Sequence, residues 1–493
     1  MKVEGGQVRG TSADGVIAFK GIPFAAPPVG ALRWRPPQPV KPWEGVRDAK
    51  AFGHDPIQPL MRNPLPGGMS EDCLYINVWR PATAPDKALP VMVWIYGGGL
   101  VKGGSSLYPG DGLARQGIVV VSMNYRVGRL GFFAHPALAK EAPDDLRGNY
   151  GYMDQIAALQ WVQRNIAAFG GDPKNVTIAG ESAGGGSVLV LLTSPLARGL
   201  FPRAILESPG IPSARADAGP MRSLAAAESI AVEYAKAAGI TGDDKAALEQ
   251  LRALPAETLA KSVEAYVDAI VGGPELAGLS HSIIDGKLVV EPPEATLRAG
   301  RQAMVPVIIG ANDADLASSP AKTNDALFAL FGAKAASARK LYDPSGDRTL
   351  ADLVQAILAD QIMVEPSRHL AEAMTKAGQP AYWYRFSYVP EALRGQLPGA
   401  VHAAEIGFAF DSVQVPLKDK ATKADLAMAG TMSGYWVAFV KSGDPNGGSR
   451  PEWPKYDLAT RDVLNFTNKG VTFGPDPLKE CLDLWKAVWD HSP

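Results

Sequence analysis

The sequence predicts an α/β fold, with a central, mostly parallel sheet flanked by helices. Short apolar runs of strand length alternate along the chain with segments whose apolar residues recur every three or four positions. Continuous apolar runs are typical of strands buried on both faces, as in parallel sheets, and the three-to-four spacing is typical of helices. Ligands of such folds bind at the carboxyl ends of the strands, so we expect functional residues in the turns there.

The expected elements can be placed in chain order. The first 50 residues predict short strands and proline-rich turns without a helix, with strands at 16–19 and 21–24. Further apolar runs predict strands at 74–79, 91–96, 118–123, 176–179, 305–310 and 381–387. Helical spacing predicts helices at 154–169, 187–192 and 424–441, the first of them closed by two glycines. From residue 453 onward the sequence predicts a tail marked by Pro and Asn.

No repeat, charge block or long linker divides the chain, so residues 1–493 are expected to form a single domain. Two helical regions are expected within it. The first is an insertion at roughly 221–300, rich in Ala, Glu and Lys, and the second lies at roughly 325–377.

Composition excludes several classes of protein. Hydrophobic residues make up 46% and charged residues 20% of the chain, which is typical of a globular protein and not of a disordered one. The 49 basic and 51 acidic residues nearly cancel, so no broad positive field is available to bind nucleic acid. No apolar run reaches the ~18 residues of a membrane-spanning helix.

Cellular location and assembly are left open by the sequence. Residues 1–10 lack the apolar core of a signal peptide, so we expect a soluble chain, cytoplasmic as given, or secreted or periplasmic if a leader has been removed. Cys73 and Cys481 are too few and too far apart for a disulfide framework or a thiolate metal site, and both are expected to be unpaired. The oligomeric state is not predicted.

The sharpest functional signal is the motif Gly180-Glu181-Ser182-Ala183-Gly184, between the expected strand 176–179 and the expected helix 187–192. A serine on so tight a strand-to-helix turn needs nearby glycines, because neighbouring backbone comes too close for a Cβ. The turn leaves the serine Oγ exposed at a helix N-terminus. We therefore predict Ser182 as a nucleophile.

A nucleophilic serine needs a histidine as its base. The candidates are His54, His135, His281, His369, His402 and His491. An order of Ser, acid and His along the chain favours His402, which lies in a turn-rich segment after the expected strand 381–387. His369 falls within an expected helix, where a structural role is the commoner one.

The acid is expected on a loop after a core strand between Ser182 and His402. The expected strand 305–310 is followed by Asp313 and Asp315, and the residues themselves do not distinguish the two. Either aspartate is equally consistent with a loop-capping role.

Acyl transfer also needs donors for the developing oxyanion. Gly97, Gly98 and Gly99 end the expected strand 91–96 and can present unhindered N–H groups, to which Ala183 adds another. The alternative is that the three glycines form only a tight turn.

Together these motifs resemble the type-B carboxylesterase family, the cholinesterase-like α/β hydrolases that include bacterial para-nitrobenzyl esterases. The resemblance runs nearly end to end, and the motifs that carry it lie at 21–25, 27–30, 32–34, 70–78, 94–99, 124–128, 149–151, 154–155, 169–173 and 180–185. The resemblance implies the α/β-hydrolase fold, with helical insertions forming a cap around an active-site gorge. It further implies Ser182 as nucleophile, His402 as general base and acid, and an oxyanion hole formed by Gly98, Gly99 and Ala183.

The chain departs from the family pattern in four places, the fourth of which is the segment 100–104 after the glycines. The family usually carries a glutamate five residues after the glycine that ends the strand, and this register falls on Asp315, so the resemblance favours Asp315 over Asp313. Cys73 matches a cysteine that is often disulfide-bonded in the family, but the matching upstream position is Pro56, so that disulfide is expected to be missing. The loop 57–69 has no tryptophan to contact choline, which argues against choline esters.

The segment after the glycines supplies the candidate substrate-binding residues Leu100 and Lys102. Lys102 suggests a preference for esters that carry a free carboxylate, and the alternative is a solvated lysine on the rim. The expected reaction is ester hydrolysis through an acyl-enzyme, with a small-molecule ester as partner and no metal or organic cofactor. Alternatives are an amidase, carbamate or lactone hydrolase on the same scaffold, or a silent neuroligin-like binding protein, against which the intact Ser182 argues.

Overall fold

The computed structural model describes residues 1–59, 64–83, 87–210, 221–261, 282–317 and 319–489. Within these ranges one sheet contains eleven strands. In chain order they are β1 (Thr11–Ala13), β2 (Val16–Pro23), β3 (Tyr75–Pro81), β4 (Leu89–Ile95), β5 (Val119–Met123), β6 (Gly171–Glu181), β7 (Arg203–Glu207), β8 (Val307–Asn312), β9 (Ala381–Phe386), β10 (Val463–Thr467) and β11 (Gly470–Gly474).

The spatial order of the strands is β11-β10-β9-β8-β7-β6-β4-β5-β3-β2-β1. The seven strands β10, β9, β8, β7, β6, β4 and β5, which are neighbours in this order, pair in parallel. The strands at the two edges of the sheet pair antiparallel. In the register of the central pairs, Gly180 of β6 lies beside Ile95 of β4, and Glu207 of β7 lies between Glu181 and Gly310. The carboxyl ends of four consecutive strands therefore meet at one edge of the sheet.

Helices pack along the sheet and fill the connections. Their bounds are α1 (Asp111–Arg115), α2 (Gly128–Gly131), α3 (Pro136–Glu141), α4 (Tyr150–Asn165), α5 (Ala183–Thr193), α6 (Leu224–Ala237), α7 (Lys245–Ala253), α8 (Ala256–Lys261), α9 (Pro293–Arg298), α10 (Asn324–Phe328), α11 (Ala335–Tyr342), α12 (Leu350–Ala359), α13 (Glu365–Lys376), α14 (Ile406–Ala409), α15 (Gln414–Leu417), α16 (Lys423–Ser442) and α17 (Lys479–Trp489). Every residue of β5 is buried, as expected for a strand covered on both faces.

The predicted α/β class is confirmed, and the predicted strands of the sheet are found with shifted ends. The two short strands expected at 16–19 and 21–24 are a single strand, β2, whose register against β3 shifts between Phe19 and Ile22. The helix expected at 154–169 begins earlier, at Tyr150, and its last turn, Ile166–Phe169, is a 3-10 helix. Gly170 ends it with a φ of +81°, a conformation that glycine adopts without strain.

The expectation of a tail after residue 453 was wrong. This segment contains β10, β11 and the amphipathic helix α17, all attached to the rest of the chain. The strand β7 was also missed. Its sequence is only five residues long, with a charged residue at each end, so its apolar run of three residues is shorter than the runs by which the other strands were predicted.

Of the expected helical region 221–300, the structure describes helices α6 to α9 and a two-stranded ladder, Met221–Ser223 with Ser282–Ile284. The stretch 262–281 lies outside the described residues. The region 325–377 contains α11 to α13 and most of α10, together with a π-helical turn at Asp360–Val364. The single-domain organisation stays a prediction.

Two smaller expectations can be compared with the structure. Cys73 is buried and Cys481 is half-buried, and both are free thiols, as expected. In the parts of the chain that the structure describes, no helix has the length and apolar character needed to cross a membrane.

Candidate active site

The turn from β6 into α5 holds Ser182 in an unusual backbone conformation, with φ +55° and ψ −127°. Side-chain-bearing residues rarely adopt a positive φ, so the surrounding structure must impose it. The Ser182 N–H donates to the carbonyl of Glu207 at 2.9 Å, and the Ser182 carbonyl accepts from the N–H of Gly186 at 2.8 Å. The serine is thereby fixed at the junction of strand and helix.

Close packing around this turn explains its glycines. A Cβ on Gly184 would overlap the carbonyl oxygen of Ile95, and one on Gly180 would lie 2.6 Å from the carbonyl carbon of Gly184. A Cβ on Gly97 would lie 2.9 Å from that of Ser182. The turn is therefore seated directly on the end of β4, as the motif predicts.

His402 contacts the serine from a loop that follows β9. Its Nε2 lies 2.8 Å from Ser182 Oγ, and its Nδ1 lies 2.5 Å from Asp315 Oδ1. The imidazole is 22% exposed, so part of it remains in contact with solvent. The structure thus brings Ser182, His402 and Asp315 into one hydrogen-bonded line.

The two candidate aspartates have different partners. The buried carboxylate of Asp315 accepts from Ser208 Oγ at 2.6 Å and from the N–H of Asn312 at 3.0 Å, in addition to its contact with His402. Asp313 instead accepts from the N–H of Ala400 at 2.7 Å. Asp313 therefore holds the loop that carries His402, and Asp315 contacts the imidazole.

Electrostatics favour an ionised aspartate beside the histidine. Burial raises the pKa of Asp315, but hydrogen bonds from His402, Ser208 and Asn312 outweigh it and lower the pKa overall. Burial lowers the pKa of His402, but the bond to Asp315 outweighs it, so this pKa is raised above the usual value of 6.5.

The glycines after β4 lie beside the serine. Gly98 and Gly99 have φ values of +103° and +67°, and a Cβ on Gly98 would overlap the Lys102 carbonyl oxygen. Ala183 is the first residue of α5, a position whose N–H has no acceptor within the helix. Of the candidate substrate-binding residues, Leu100 is buried with a φ of +61°, and Lys102 is exposed.

The other histidines that the structure describes do not join this group. His369 lies in α13, where its Nε2 is 2.9 Å from Glu294 Oε2, in agreement with a structural role. His135 caps α3 and is buried. His54 Nδ1 lies 2.9 Å from the carbonyl of Gly67. His281 and His491 lie outside the described residues.

Sequence reasoning missed a cluster of three buried glutamates, Glu181, Glu207 and Glu405, behind the serine and histidine. Glu181 Oε1 lies 3.3 Å from His402 Nε2, and Trp436 Nε1 donates to Glu207 Oε1 at 2.8 Å. Burial raises the pKa values of Glu207 and Glu405 to about 8, and burial and the neighbouring carboxylates raise that of Glu181.

Ser208, which donates to Asp315, was also missed, because it follows the strand β7 that was not predicted. A signal for the glutamates was available in the sequence. Glu207 directly follows three apolar residues, and Glu181 follows the expected strand 176–179 after a single glycine, so each lies where a strand ends.

The raised pKa of Glu207 leads to a prediction about stability. The usual pKa of a glutamate is 4.5, and the pKa of Glu207 in the folded protein is about 8. Between these two pH values the folded protein holds a proton on Glu207 that the unfolded chain releases, so folding stability falls as pH rises through this window. The Glu207→Gln substitution keeps an acceptor for Trp436 without this cost. We expect the melting temperature of Glu207→Gln, relative to wild type, to increase from pH 5 to pH 8 in differential scanning calorimetry.

The exposed Glu233 provides the matched control for this measurement. The difference between Glu233→Gln and wild type should change little over the same range. A difference for Glu207→Gln that stayed constant from pH 5 to pH 8 would contradict the prediction.

Comparisons with known proteins agree with this fold. The model of the carboxylesterase family matches residues 1–343 and 333–485. Fumonisin B1 esterase of Sphingopyxis macrogoltabida is 37% identical over 500 residues, covering 97% of this chain and 88% of that protein. Para-nitrobenzyl esterase of Bacillus subtilis is 36% identical over 499 residues, covering 96% of each.

A solved structure of PNB esterase superposes on the chain with a TM-score of 0.82 at 34% identity, covering 98% of this chain and 99% of that one. The resemblance inferred from the sequence motifs is therefore confirmed. The chain belongs to the carboxylesterase family and is a carboxylic ester hydrolase with the α/β-hydrolase fold, whose substrates are small-molecule esters.

Proposed function

We propose that the chain hydrolyses carboxylic esters through an acyl-enzyme formed on Ser182, with His402 as general base and acid and Asp315 as the triad acid. The observation that carries this proposal is the continuous line from Ser182 Oγ to His402 Nε2, at 2.8 Å, and from His402 Nδ1 to Asp315, at 2.5 Å. A serine, an imidazole and a buried carboxylate in this order form the arrangement that activates a hydroxyl as a nucleophile.

The reaction follows from this geometry. His402 Nε2 accepts the Ser182 proton as Oγ attacks the ester carbonyl, and Asp315 stabilises the imidazolium that forms. The N–H groups of Gly98, Gly99 and Ala183 donate to the developing oxyanion. His402 then returns the proton to the leaving alcohol, and water repeats the sequence on the acyl-enzyme.

The acid is assigned to Asp315 because it is the aspartate that contacts His402. Its partners Ser208 and Asn312 orient the carboxylate, which fixes the imidazole with Nε2 toward the serine. Asp313 contributes indirectly, since its bond to the Ala400 N–H supports the loop that carries His402.

Substrate choice has to be argued from the residues of this chain, because the relatives are named for different esters. Lys102 follows the proposed oxyanion glycines closely, and its backbone packs against Gly98. Its side chain is exposed, so the ammonium group is available to a ligand. We propose that Lys102 favours esters that carry a free carboxylate.

Hydrolysis of para-nitrophenyl acetate and butyrate tests the nucleophile. Wild type should hydrolyse both esters, and Ser182→Ala should lose several orders of magnitude in kcat, because no other group supplies the attacking oxygen. Circular dichroism of the variant checks its fold. Wild type inactive on both esters, or full activity without Ser182, would require this mechanism to be withdrawn.

The two aspartates provide a matched pair for the acid. Asp315→Asn should lower kcat on the order of 10³–10⁴-fold, because the amide no longer stabilises the imidazolium. The active histidine is neutral and Asp315 raises its pKa, so the rise of activity with pH should move to lower pH in this variant. Asp313→Asn retains an acceptor for Ala400 and should remain within about threefold of wild type. The opposite ranking would assign the acid to Asp313.

The role of Lys102 is tested with two esters of similar acyl length, para-nitrophenyl butyrate and the para-nitrophenyl half-ester of succinate. An exposed ion pair contributes up to about 1 kcal/mol, so Lys102→Gln should lower kcat/KM for the half-ester up to about fivefold relative to butyrate. The effect should shrink at high salt. Lys340→Gln, on the exposed face of α11, serves as control. An unchanged ratio would leave Lys102 as a solvated rim residue.

A further inference from the structure

The glycine loop, residues 97–104, needs support from outside itself. Gly98, Gly99, Leu100 and Gly103 all have positive φ values, between +61° and +114°. Residues in this region carry either backbone strain or, for glycine, a large loss of conformational entropy. Within the loop, the N–H groups of Val101 and Lys102 donate to the Gly98 carbonyl at 3.2 and 3.1 Å. These long bonds close one turn but do not attach the loop to the rest of the protein.

Two contacts attach it: the Gly128 N–H donates to the Leu100 carbonyl at 2.7 Å, and the side chain of Gln58 pairs with Gly103. Gln58 Oε1 accepts from the Gly103 N–H at 2.7 Å, and Gln58 Nε2 donates to the Gly103 carbonyl at 2.7 Å. The same Nε2 donates to the Pro56 carbonyl at 2.9 Å, and the side chain is buried. The opposite orientation of the amide would oppose donor to donor and acceptor to acceptor, so the contacts select one orientation. Gln58 thus pairs with both backbone groups of a single loop residue.

The position of Gly103 determines that of the proposed oxyanion glycines. A Cβ on Gly103 would lie 2.7 Å from the Gly97 carbonyl oxygen and 2.6 Å from the Tyr96 ring. On the opposite limb, a Cβ on Gly98 would overlap the carbonyl oxygen of Lys102. The two limbs of the loop are therefore packed backbone against backbone. Because no side chain separates them, a shift of Gly103 is transmitted to Gly98.

The segment that carries Gln58 is itself anchored. Asp55–Pro56 pairs with Met69–Ser70, and the His54 carbonyl accepts from Asn124 Nδ2 at 2.9 Å. The buried Asp55 carboxylate accepts from Ser106 Oγ at 2.5 Å, just beyond the glycine loop. These contacts hold the segment in place, so the Gln58 side chain, which we call the clamp on Gly103, has a fixed position.

We propose that Gln58 is a positioning residue for ester hydrolysis, which acts through Gly103 to align the N–H groups of Gly98 and Gly99 with the developing oxyanion. This inference rests on the proposed function. Donors aimed at the oxyanion act mainly in the transition state, so their misalignment lowers kcat and leaves substrate binding nearly unchanged. A residue that only stabilised the fold would instead lower the melting temperature and the amount of active enzyme.

Two variants test the clamp. Gln58→Leu removes both bonds to Gly103, and Gln58→Glu keeps the size of the side chain while replacing its donor by an acceptor. On para-nitrophenyl butyrate, with active sites counted by titration, both should lower kcat about 10- to 100-fold, below the effect of deleting an oxyanion donor outright. KM should stay within about threefold.

A trifluoromethyl ketone supplies a second readout, because the serine oxygen adds to its carbonyl carbon and the carbonyl oxygen becomes a tetrahedral oxyanion. Its inhibition constant should rise by about the same factor as kcat falls. The matched control is Gln163→Leu, which removes a half-buried amide that donates to the Leu200 carbonyl at 2.9 Å. This variant should retain wild-type kcat and wild-type inhibition.

Two results would overturn the inference: wild-type kcat and ketone inhibition in folded Gln58→Glu, or a loss confined to KM. If Gln58→Leu does not fold, Gln58→Glu decides the question. Ser182→Ala, measured alongside, separates this inference from the proposed function. Activity that survives without Ser182 refutes the proposed function, whereas Ser182-dependent activity that is insensitive to Gln58 refutes only the clamp.

Discussion

The contact between the Ser182 turn and the end of β4 is the constraint on which the site depends. Gly184 packs so closely on the Ile95 carbonyl that no side chain fits between them, and Ser182 takes its positive φ at this contact. The parallel sheet holds Ser182 in this strained conformation, because its register places β4, β6 and β7 side by side. A shift of β4 or β6 would remove the contact between Gly184 and Ile95. The strained backbone of Ser182 therefore depends on the register of the sheet.

The same edge of the sheet gathers the other functional groups. Asp315 follows β8, the His402 loop follows β9, and the glycine loop follows β4, so residues far apart in sequence become neighbours through parallel pairing. Backbone contacts then set the fine geometry, as in the bond between Asp313 and Ala400. The fold supplies proximity, and short loops with buried polar partners supply alignment.

The sequence was sufficient for the fold class, for most strands of the sheet, and for Ser182 and His402 as candidates. These features have local signals: apolar periodicity, a glycine-bounded serine, and a histidine in a turn-rich segment. It was insufficient to choose between Asp313 and Asp315 without the family resemblance, because two residues in one loop differ only in which long-range partner they meet. Ser208 and Gln58 carried no local signal, since their roles arise from pairings with Asp315 and Gly103 that the folded chain creates.

The relative placement of Ser182, His402 and the glycine loop also bears on stereochemistry. In the proposed mechanism the serine oxygen approaches from the side on which the imidazole lies, while the carbonyl oxygen is directed toward the backbone N–H groups. Only one face of a planar ester carbonyl meets both requirements at once. The tetrahedral intermediate therefore forms with a single handedness, and an ester with a stereocentre next to its carbonyl presents two mirror-image forms that this rigid arrangement does not accommodate equally.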